Sequence, residues 1–213
     1  NCTGDINAWG SLFTEFARAI GCDIPKGKVF DLMYEKALEG DADCGGLMSY
    51  NYFSGEPVTG LMEGRPMFLR TPDSNFTLGN FMRTHLYSAM AALKVGADLL
   101  FENENVEIDE LYGHGGYYIY PGVGQKITAA ALGTPVSVMK TAGEGGPYGM
   151  ALLASYLING KGMTLPAFLS EKVFKGAECV CVAPDEETVK GFKAYTEKYI
   201  RALGCQKAAT ELF

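Results

Sequence analysis

Two clusters of glycines, separated by one helix-like and one strand-like stretch, constrain the fold of this chain most strongly. The first cluster holds Gly113, Gly115 and Gly116, and the second spans Gly143–Gly149. Glycine lets a backbone approach a ligand closely, or adopt a positive φ, at little steric cost. Two such turns around one helix–strand unit indicate a nucleotide cleft. Taken alone, however, the clusters favour the simpler interpretation of two tight turns in an α/β sheet.

The composition excludes several classes of partner. The 213 residues are 47% hydrophobic and 20% charged, as in ordinary soluble globular proteins, and carry a net charge of −7. Because the sequence has no run of Lys and Arg, it offers no basic surface for a nucleic acid or an anionic membrane. Its apolar runs are far shorter than the roughly 20 residues of a membrane span. We therefore expect neither nucleic acid nor membrane as a partner.

The six cysteines are scattered through a chain too large to need disulfides, so we expect a reducing, cytoplasmic location. Cys179 and Cys181 lack the second pair of ligands that a zinc site typically needs. In a strand these two residues face the same side, and we expect a pair of reduced thiols. The chain begins with Asn1 and not with Met, so we expect it to be a piece of a longer protein.

The order of apolar periods and turn residues predicts alternating helices and strands, which favours α/β architecture. A helix over Ile6–Ile20 should be N-capped by Asp5, and the longest helix should span about Thr77–Phe101. Further helices are expected after Pro25, over Val123–Leu132, Gly146–Ile158 and Thr164–Glu171, and after Pro184, and strands over Leu47–Phe53, Met67–Leu69, Glu107–Tyr112, Pro135–Met139 and Cys179–Val182.

None of the common catalytic or phosphate-binding motifs is complete. Neither Gly-Lys pair is followed by Ser or Thr, and each candidate G-x-G-x-x-G fingerprint fails at one position. His85 is interpreted as a packed or surface residue of the long helix, and His114 as a residue that holds its turn. Glu144 precedes a helix N-terminus, where a carboxylate is favoured in any case. One aromatic group could stack on a base or form the core and rim of a sheet, which is commoner: Tyr50, Tyr52, Phe53, Tyr117, Tyr118 and Tyr120.

Four short segments occur in an order typical of one enzyme family. The stretch from Gly46 to Glu56 is similar to G-L-x(n)-P-Y-x-S-G-E-R without its Pro and Arg, and Arg83 matches the arginine of an R-A-x-x-E-G helix. Glu144–Ala154 looks like E-x-x-x-x-G-A-A-x-x-A. The motif G-G-G-A-x-S-x(n)-Q-x-x-A-D-x-x-G-x-P-V is matched at Gly113, Gly115, Gly116, Gln125, Ala130, Gly133, Pro135 and Val136, with Tyr118–Tyr120 in place of A-x-S. Over nearly its whole length the chain thus resembles the C-terminal domain of the FGGY family of carbohydrate kinases, most closely the xylulokinase and ribulokinase branches.

This resemblance implies an α/β domain of the ribonuclease H-like fold found in the actin and hexokinase ATPases, with a mixed sheet flanked by helices. Residues 1–160 would be the ATP-binding domain, and residues 161–213 a helical extension packed on the same domain. In the full-length enzyme, the γ-phosphoryl group of ATP, with Mg²⁺, would pass to a hydroxyl of a ketose such as xylulose or ribulose. The ketose would bind mainly to an N-terminal domain that this sequence lacks, and a homodimer is one expected assembly.

The resemblance also implies which residues contact the nucleotide, namely Gly4, Gly115, Gly116, Tyr118, Tyr120 and Glu144. Tyr118–Tyr120 would form a wall beside the adenine. We expect no catalytic or metal-binding residue, because the family's G-T-S phosphate loop is missing. Gly4-Asp5-Ile6-Asn7-Ala8 fits the family's G-D-x-x-A general-base motif literally, but we interpret Asp5 as a helix cap.

Alone, the chain should therefore be inactive. The alternatives are a non-catalytic binding or structural module of the same fold and, disfavoured by the failed fingerprints, a Rossmann-like dinucleotide domain.

Overall fold

The structure, a computed structural model, describes residues 2–212, with the side chains of residues 3–212. Its helices are α1 (Cys2–Ala19), α2 (Lys26–Leu38), α3 (Leu78–Asp98), α4 (Val123–Leu132), α5 (Gly145–Asn159), α6 (Leu165–Phe168), α7 (Glu186–Arg201) and α8 (Leu203–Leu212). Its strands are β1 (Met48–Tyr50), β2 (Met67–Leu69), β3 (Leu111–Tyr112), β4 (Val136–Met139) and β5 (Cys179–Val182).

Helix α3 is the centre of the core. Every residue from Gly79 to Ser88 is buried, and α3 packs against α2, α4, α7 and β1. Thr77 caps its first turn, since the Thr77 hydroxyl accepts a hydrogen bond from the Asn80 amide at 3.2 Å. A helix covered on several sides needs apolar or internally bonded side chains around its whole circumference, and α3 has both kinds.

The strands form two separate small sheets. In one, β1 pairs antiparallel with β2. In the other, β4 lies between β3, to which it is parallel, and β5, to which it is antiparallel. Thus β5, which comes from the last fifty or so residues, completes the sheet that carries the glycine clusters.

The sequence-based elements agree with most of the structure, with several corrections. Asp5 lies inside α1 rather than before it, so the predicted N-cap is wrong. The strands predicted over Leu47–Phe53 and Glu107–Tyr112 are shorter in the structure, as β1 and β3, because the remaining residues are irregular backbone with a bend at Phe53 and another at Asp109. Helix α8 was not predicted.

Among the described residues, no helix is both long and apolar enough to span a membrane. The thiols whose placement is described are all free, in agreement with the expected reduced cysteines: Cys22, Cys44, Cys179, Cys181 and Cys205.

Candidate nucleotide site

The two glycine clusters meet at one edge of the three-stranded sheet. Because β3 and β4 are parallel, their carboxyl ends lie at the same edge, and a glycine cluster follows each strand. The amide of Gly113 donates to the carbonyl of Ser137 at 2.9 Å, and the amide of Gly115 donates to the carbonyl of Ala142 at 2.7 Å. The clusters are therefore in direct contact, as a shared site would require.

Several of these glycines are needed for close packing or unusual backbone geometry. A Cβ on Gly113 would lie 2.6 Å from the ring of Tyr118, and a Cβ on Gly145 would lie 2.6 Å from the Cβ of His114. Gly115 has φ +97°, a conformation that side chains rarely permit. These contacts also support the simpler interpretation of two tight turns, because glycines of both clusters pack against residues of the first turn.

A cavity of about 260 Å³ lies between α1, α2 and the turn at residues 116–120. Thr3, Ile6 and Asn7 share one face of α1, because they are three and four residues apart. Gly116 faces this side of α1 across a narrow gap, since a Cβ there would lie 3.8 Å from Cγ2 of Thr3. The lining residues are Thr3, Ile6, Asn7, Phe30, Tyr34, Gly116, Ile119 and Tyr120.

A second cavity, of about 370 Å³, lies on the other side of Ile119, which borders both. Tyr118 and Gln125 line it from one side, and Lys140 and Glu178 from the other. The Gln125 amide donates to the carbonyls of Val136 and Val180, at 3.0 and 2.7 Å, so α4 holds β4 and β5 in place beneath this cavity.

The structure brings some of the six predicted site residues together and separates others. Gly116 and Tyr120 line the smaller cavity, and Gly115 adjoins it. Tyr118 lines the larger cavity instead, so the two tyrosines do not form one wall. Gly4 is exposed next to Thr3, and Glu144 is exposed at the start of α5, outside both linings.

Both tyrosines already have protein partners. The ring of Tyr120 stacks on the ring of Tyr34 with centroids 4.0 Å apart, and the hydroxyls of Tyr118 and Thr128 are 3.2 Å apart. Burial, and to a lesser degree the charge of Asp31, raises the pKa of Tyr120 above its ordinary value. Its hydroxyl is therefore a neutral hydrogen-bonding group at physiological pH.

Sequence reasoning missed Thr3, Asn7 and Tyr34, which line the smaller cavity. The shared face of Thr3 and Asn7 follows from helical spacing, but nothing in the sequence places that face opposite Gly116, more than 100 residues away. The smaller cavity thus offers an aromatic pair, a hydroxyl, an amide and a glycine backbone. Such a set can hold a flat base and its sugar.

The described residues contain no group of three or more His, Cys, Asp or Glu side chains that could hold a metal ion. Mg²⁺ in nucleotide sites usually keeps several waters and binds through phosphates with one or two carboxylates. The residues that the structure describes therefore do not form a complete metal site near either cavity.

A sequence model of the FGGY family of carbohydrate kinases, C-terminal domain, matches residues 1–158. None of the curated proteins matches the chain.

Three similar solved structures are kinases. Gluconate kinase from Lactobacillus acidophilus has a TM-score of 0.59 at 18% identity, covering 80% of this chain and 34% of that one. Xylulose kinase from the same organism has a TM-score of 0.62 at 17% identity, covering 93% and 39%. Plasmodium falciparum glycerol kinase with ADP has a TM-score of 0.62 at 16% identity, covering 92% and 37%.

These structures share the fold of the chain, and they are more than twice as long. The chain spans between 34% and 39% of their length. The predicted fold class, an α/β domain of the ribonuclease H-like type found in actin and hexokinase ATPases, is confirmed by the family match and by this likeness.

Proposed function

The chain belongs to the FGGY family of carbohydrate kinases as a C-terminal domain, and we propose that it is the ATP-binding half of a sugar kinase. One observation carries this proposal. The turn that begins at Gly115 lies so near α1 that a Cβ on Gly116 would be in van der Waals contact with Thr3, and a nucleoside-sized cavity lies between the two. Its volume of about 260 Å³ is slightly below the 300–1,000 Å³ typical of ligand pockets. It therefore suits a nucleoside, with the phosphates extending outside.

The proposed reaction transfers the γ-phosphoryl group of ATP to a hydroxyl of a ketose such as xylulose or ribulose. The sequence motifs support the ketose, whereas the similar structures include kinases named for gluconate, xylulose and glycerol. ATP with Mg²⁺ supplies the phosphoryl group, and catalysis in such transfers rests mainly on positioning and charge stabilisation. The sugar and the general base belong, on this proposal, to residues outside this chain.

The residues of this chain would bind and orient the nucleoside. Tyr120, held by its stack on Tyr34, presents a rigid aromatic surface to a base. The side chains of Thr3 and Asn7 can exchange hydrogen bonds with the base or the ribose, since both carry donors and acceptors. Gly116 would let the backbone approach the ribose. Of the remaining predicted residues, Gly4, Gly115 and Glu144 would act next to the cavity, and Tyr118 through the packing of the turn.

We also propose that residues 161–213 are part of the same folding unit as residues 1–160. Strand β5 pairs with β4 along its full length. Helix α7 places Phe192, Tyr195 and Tyr199 in the core, each almost inaccessible to solvent. Because this extension supplies both a strand and core aromatic side chains, it could not detach without exposing the edge of β4 and the core to solvent.

A binding module without catalytic function is the alternative. It is favoured by the partners of the two tyrosines, since Tyr120 packs on Tyr34 and Tyr118 bonds to Thr128. On this view the turn fills its own pocket, and the departures from A-x-S in the glycine motif would have removed nucleotide binding.

Titration of the purified chain with ATP, followed by calorimetry, tests the proposal. ATP should bind, weakly because the phosphate loop is missing, and NAD should bind no better than AMP. Gly116→Val should weaken ATP binding at least about tenfold, because the branched side chain of Val enters the gap to Thr3. A tenfold loss corresponds to about 1.4 kcal/mol of binding free energy. Gly146→Val, where a Cβ would meet no atom within 4 Å, is the matched control. Absence of ATP binding, or equal binding by both variants, would favour the non-catalytic module.

A further inference from the structure

One face of the sheet formed by β4 and β5 carries three sulfur atoms that the proposed nucleotide site does not use. In the antiparallel register Met139 lies opposite Cys179, and Ser137 lies opposite Cys181. Directly opposed residues project from the same face of a sheet, as do residues two apart on one strand. Met139, Cys179 and Cys181 therefore share a face. We call these three residues the sulfur triad.

The other face of the same strands is the one that α4 covers. Val136 and Val182 are opposed there, Val136 is fully buried, and Gln125 of α4 bonds to the carbonyls of Val136 and Val180. Cys179 and Cys181 thus lie on the side away from α4, and Met139, the last residue of β4, also borders the cavity of about 370 Å³. Cys179 and Cys181 are exposed, and their thiols are free, so an ion can reach them from solvent.

The spacing of the two cysteines favours a bridging ion over a disulfide. Two residues apart on a strand, their Cα atoms are separated by about 6.6 Å, from two rises of about 3.3 Å. That separation is at the upper limit of about 6.8 Å for disulfides, so closing one would bend β5. A metal with bonds of about 2.3 Å to each thiolate spans sulfur atoms up to about 4.6 Å apart and does not require the bend.

We propose that the sulfur triad binds a soft, thiophilic monovalent cation of the cuprous type. Thiolates and thioethers are the ligands that select Cu(I), and the directly opposed Met139 has a long, flexible side chain that can supply a third sulfur. As two copper–thiolate bonds form, two protons pass from the thiols to solvent and no electrons move.

The same geometry argues against zinc. Zn²⁺ in structural sites takes four ligands, usually thiolates and imidazoles. Among the side chains of residues 3–212, no three from His, Cys, Asp or Glu are grouped for a metal, so Zn²⁺ would find only two of its usual donors here. Preference for Cu(I) over Zn²⁺ is therefore a specific consequence of the triad.

The experiment is a competition for Cu(I) between the reduced chain and a chromophoric cuprous chelator, without oxygen. We expect one Cu(I) per chain. The double variant Cys179→Ser/Cys181→Ser should lose at least about tenfold in affinity, and Met139→Leu should lose less than the double variant but measurably. Cys22→Ser/Cys205→Ser removes two exposed thiols elsewhere and should leave the affinity unchanged. Thermal melting of each variant separates loss of binding from loss of fold.

Three results would overturn the proposal: Cu(I) affinity that survives in the Cys179/Cys181 double variant, affinity that falls equally in the Cys22/Cys205 variant, or Zn²⁺ bound as tightly as Cu(I). An unchanged affinity in Met139→Leu would overturn the role of the thioether. None of these measurements depends on nucleotide binding, so the test is independent of the proposed kinase function.

Discussion

The carboxylate of Asp5 lies 2.8 Å from Nδ1 of His85, and the two side chains connect helices α1 and α3 in the interior. Asp5 is 5% and His85 2% exposed. The rings of Trp9, Phe68 and Phe81 surround the imidazole. Although Gly4–Ala8 matches a general-base motif in letters, its carboxylate is enclosed and already bound. The pair instead fixes α1, and with it the wall of the smaller cavity that Thr3 and Asn7 form.

Replacing Asp5 should therefore cost stability. Asp5→Ala removes the partner of a buried imidazole, and an unsatisfied buried polar group costs about 1–3 kcal/mol. Asp5→Asn keeps an oxygen that can accept from Nδ1 and should cost less. Urea denaturation gives the free energy of unfolding for each variant. Glu15→Ala, at an exposed position of the same helix, should change it by less than about 0.5 kcal/mol. An Asp5→Ala protein as stable as Glu15→Ala would contradict the buried link.

Buried tyrosines should make the fold sensitive to alkali. Burial raises the pKa of Tyr195 and of Tyr199 above the ordinary value of 10.0. Below that pH both the folded and unfolded chains hold these protons, and stability is complete. Above it the unfolded chain loses them first, so the free energy of unfolding should fall by up to about 1.4 kcal/mol per pH unit for each tyrosine until the raised pKa is passed.

Chemical denaturation at a series of pH values from neutral upward measures this slope. Tyr195→Phe should be less stable at neutral pH, because the Tyr195 hydroxyl bonds to Thr84 and Ser49. Above pH 10, however, its free energy of unfolding should fall less steeply with pH, because one ionising tyrosine is missing. A slope identical to that of the unchanged chain would show that Tyr195 does not carry the effect.

Local patterns were sufficient to predict the elements whose signals lie within one stretch of chain. Helix α4 and strand β5 occur at their predicted bounds, because glycine turns or prolines mark their ends. Helix α8 was missed because only Ala202 separates it from α7, without the Gly or Pro that usually marks a boundary. The sequence predicts Asp5 as a cap because Asp is a common N-cap residue, whereas its actual partner, His85, is 80 residues away.

The candidate site shows the same limit. The glycine turns can be recognised in the sequence. Their contact with each other follows because the strands before them, β3 and β4, are parallel. The sequence does not predict that Tyr118 and Tyr120 line different cavities, because this depends on the direction in which each side chain points from the turn. The stack of Tyr120 on Tyr34 of α2 and the bond of Tyr118 to Thr128 of α4 decide those directions. Tyr34 is far from Tyr120 in the sequence, and Thr128, although only ten residues from Tyr118, belongs to a separate helix.

Close packing of α7 on the rest of the chain gives a further prediction. A Cβ on Gly191 would lie 2.2 Å from the carbonyl oxygen of Ala42, and backbone cannot move aside cheaply. Gly191→Ala should therefore destabilise the fold by about 1–3 kcal/mol, despite the better helix propensity of alanine. Gly204→Ala in α8, where a Cβ meets nothing within 4 Å, should be neutral or stabilising by up to about 1 kcal/mol.

Thermal melting of the two glycine variants, together with unfolding of the unchanged chain followed by far-ultraviolet circular dichroism and by tyrosine fluorescence, tests the packing. A single coincident transition is expected if residues 161–213 fold with the rest. Two separate transitions, with Gly191→Ala affecting only one, would show that the extension is an independent unit.

The isolated chain should bind nucleotide without transferring phosphate. Its one carboxylate in a general-base motif, Asp5, is buried against His85, and the described residues hold no metal cluster. Release of ADP from ATP should therefore not rise when xylulose, ribulose, gluconate or glycerol is added to the chain at high concentration. A coupled assay for ADP, with the sugar omitted as the control, measures this. Sugar-dependent ADP release that tracks the chain through purification, and disappears in Gly116→Val, would instead place the whole catalytic apparatus within these residues.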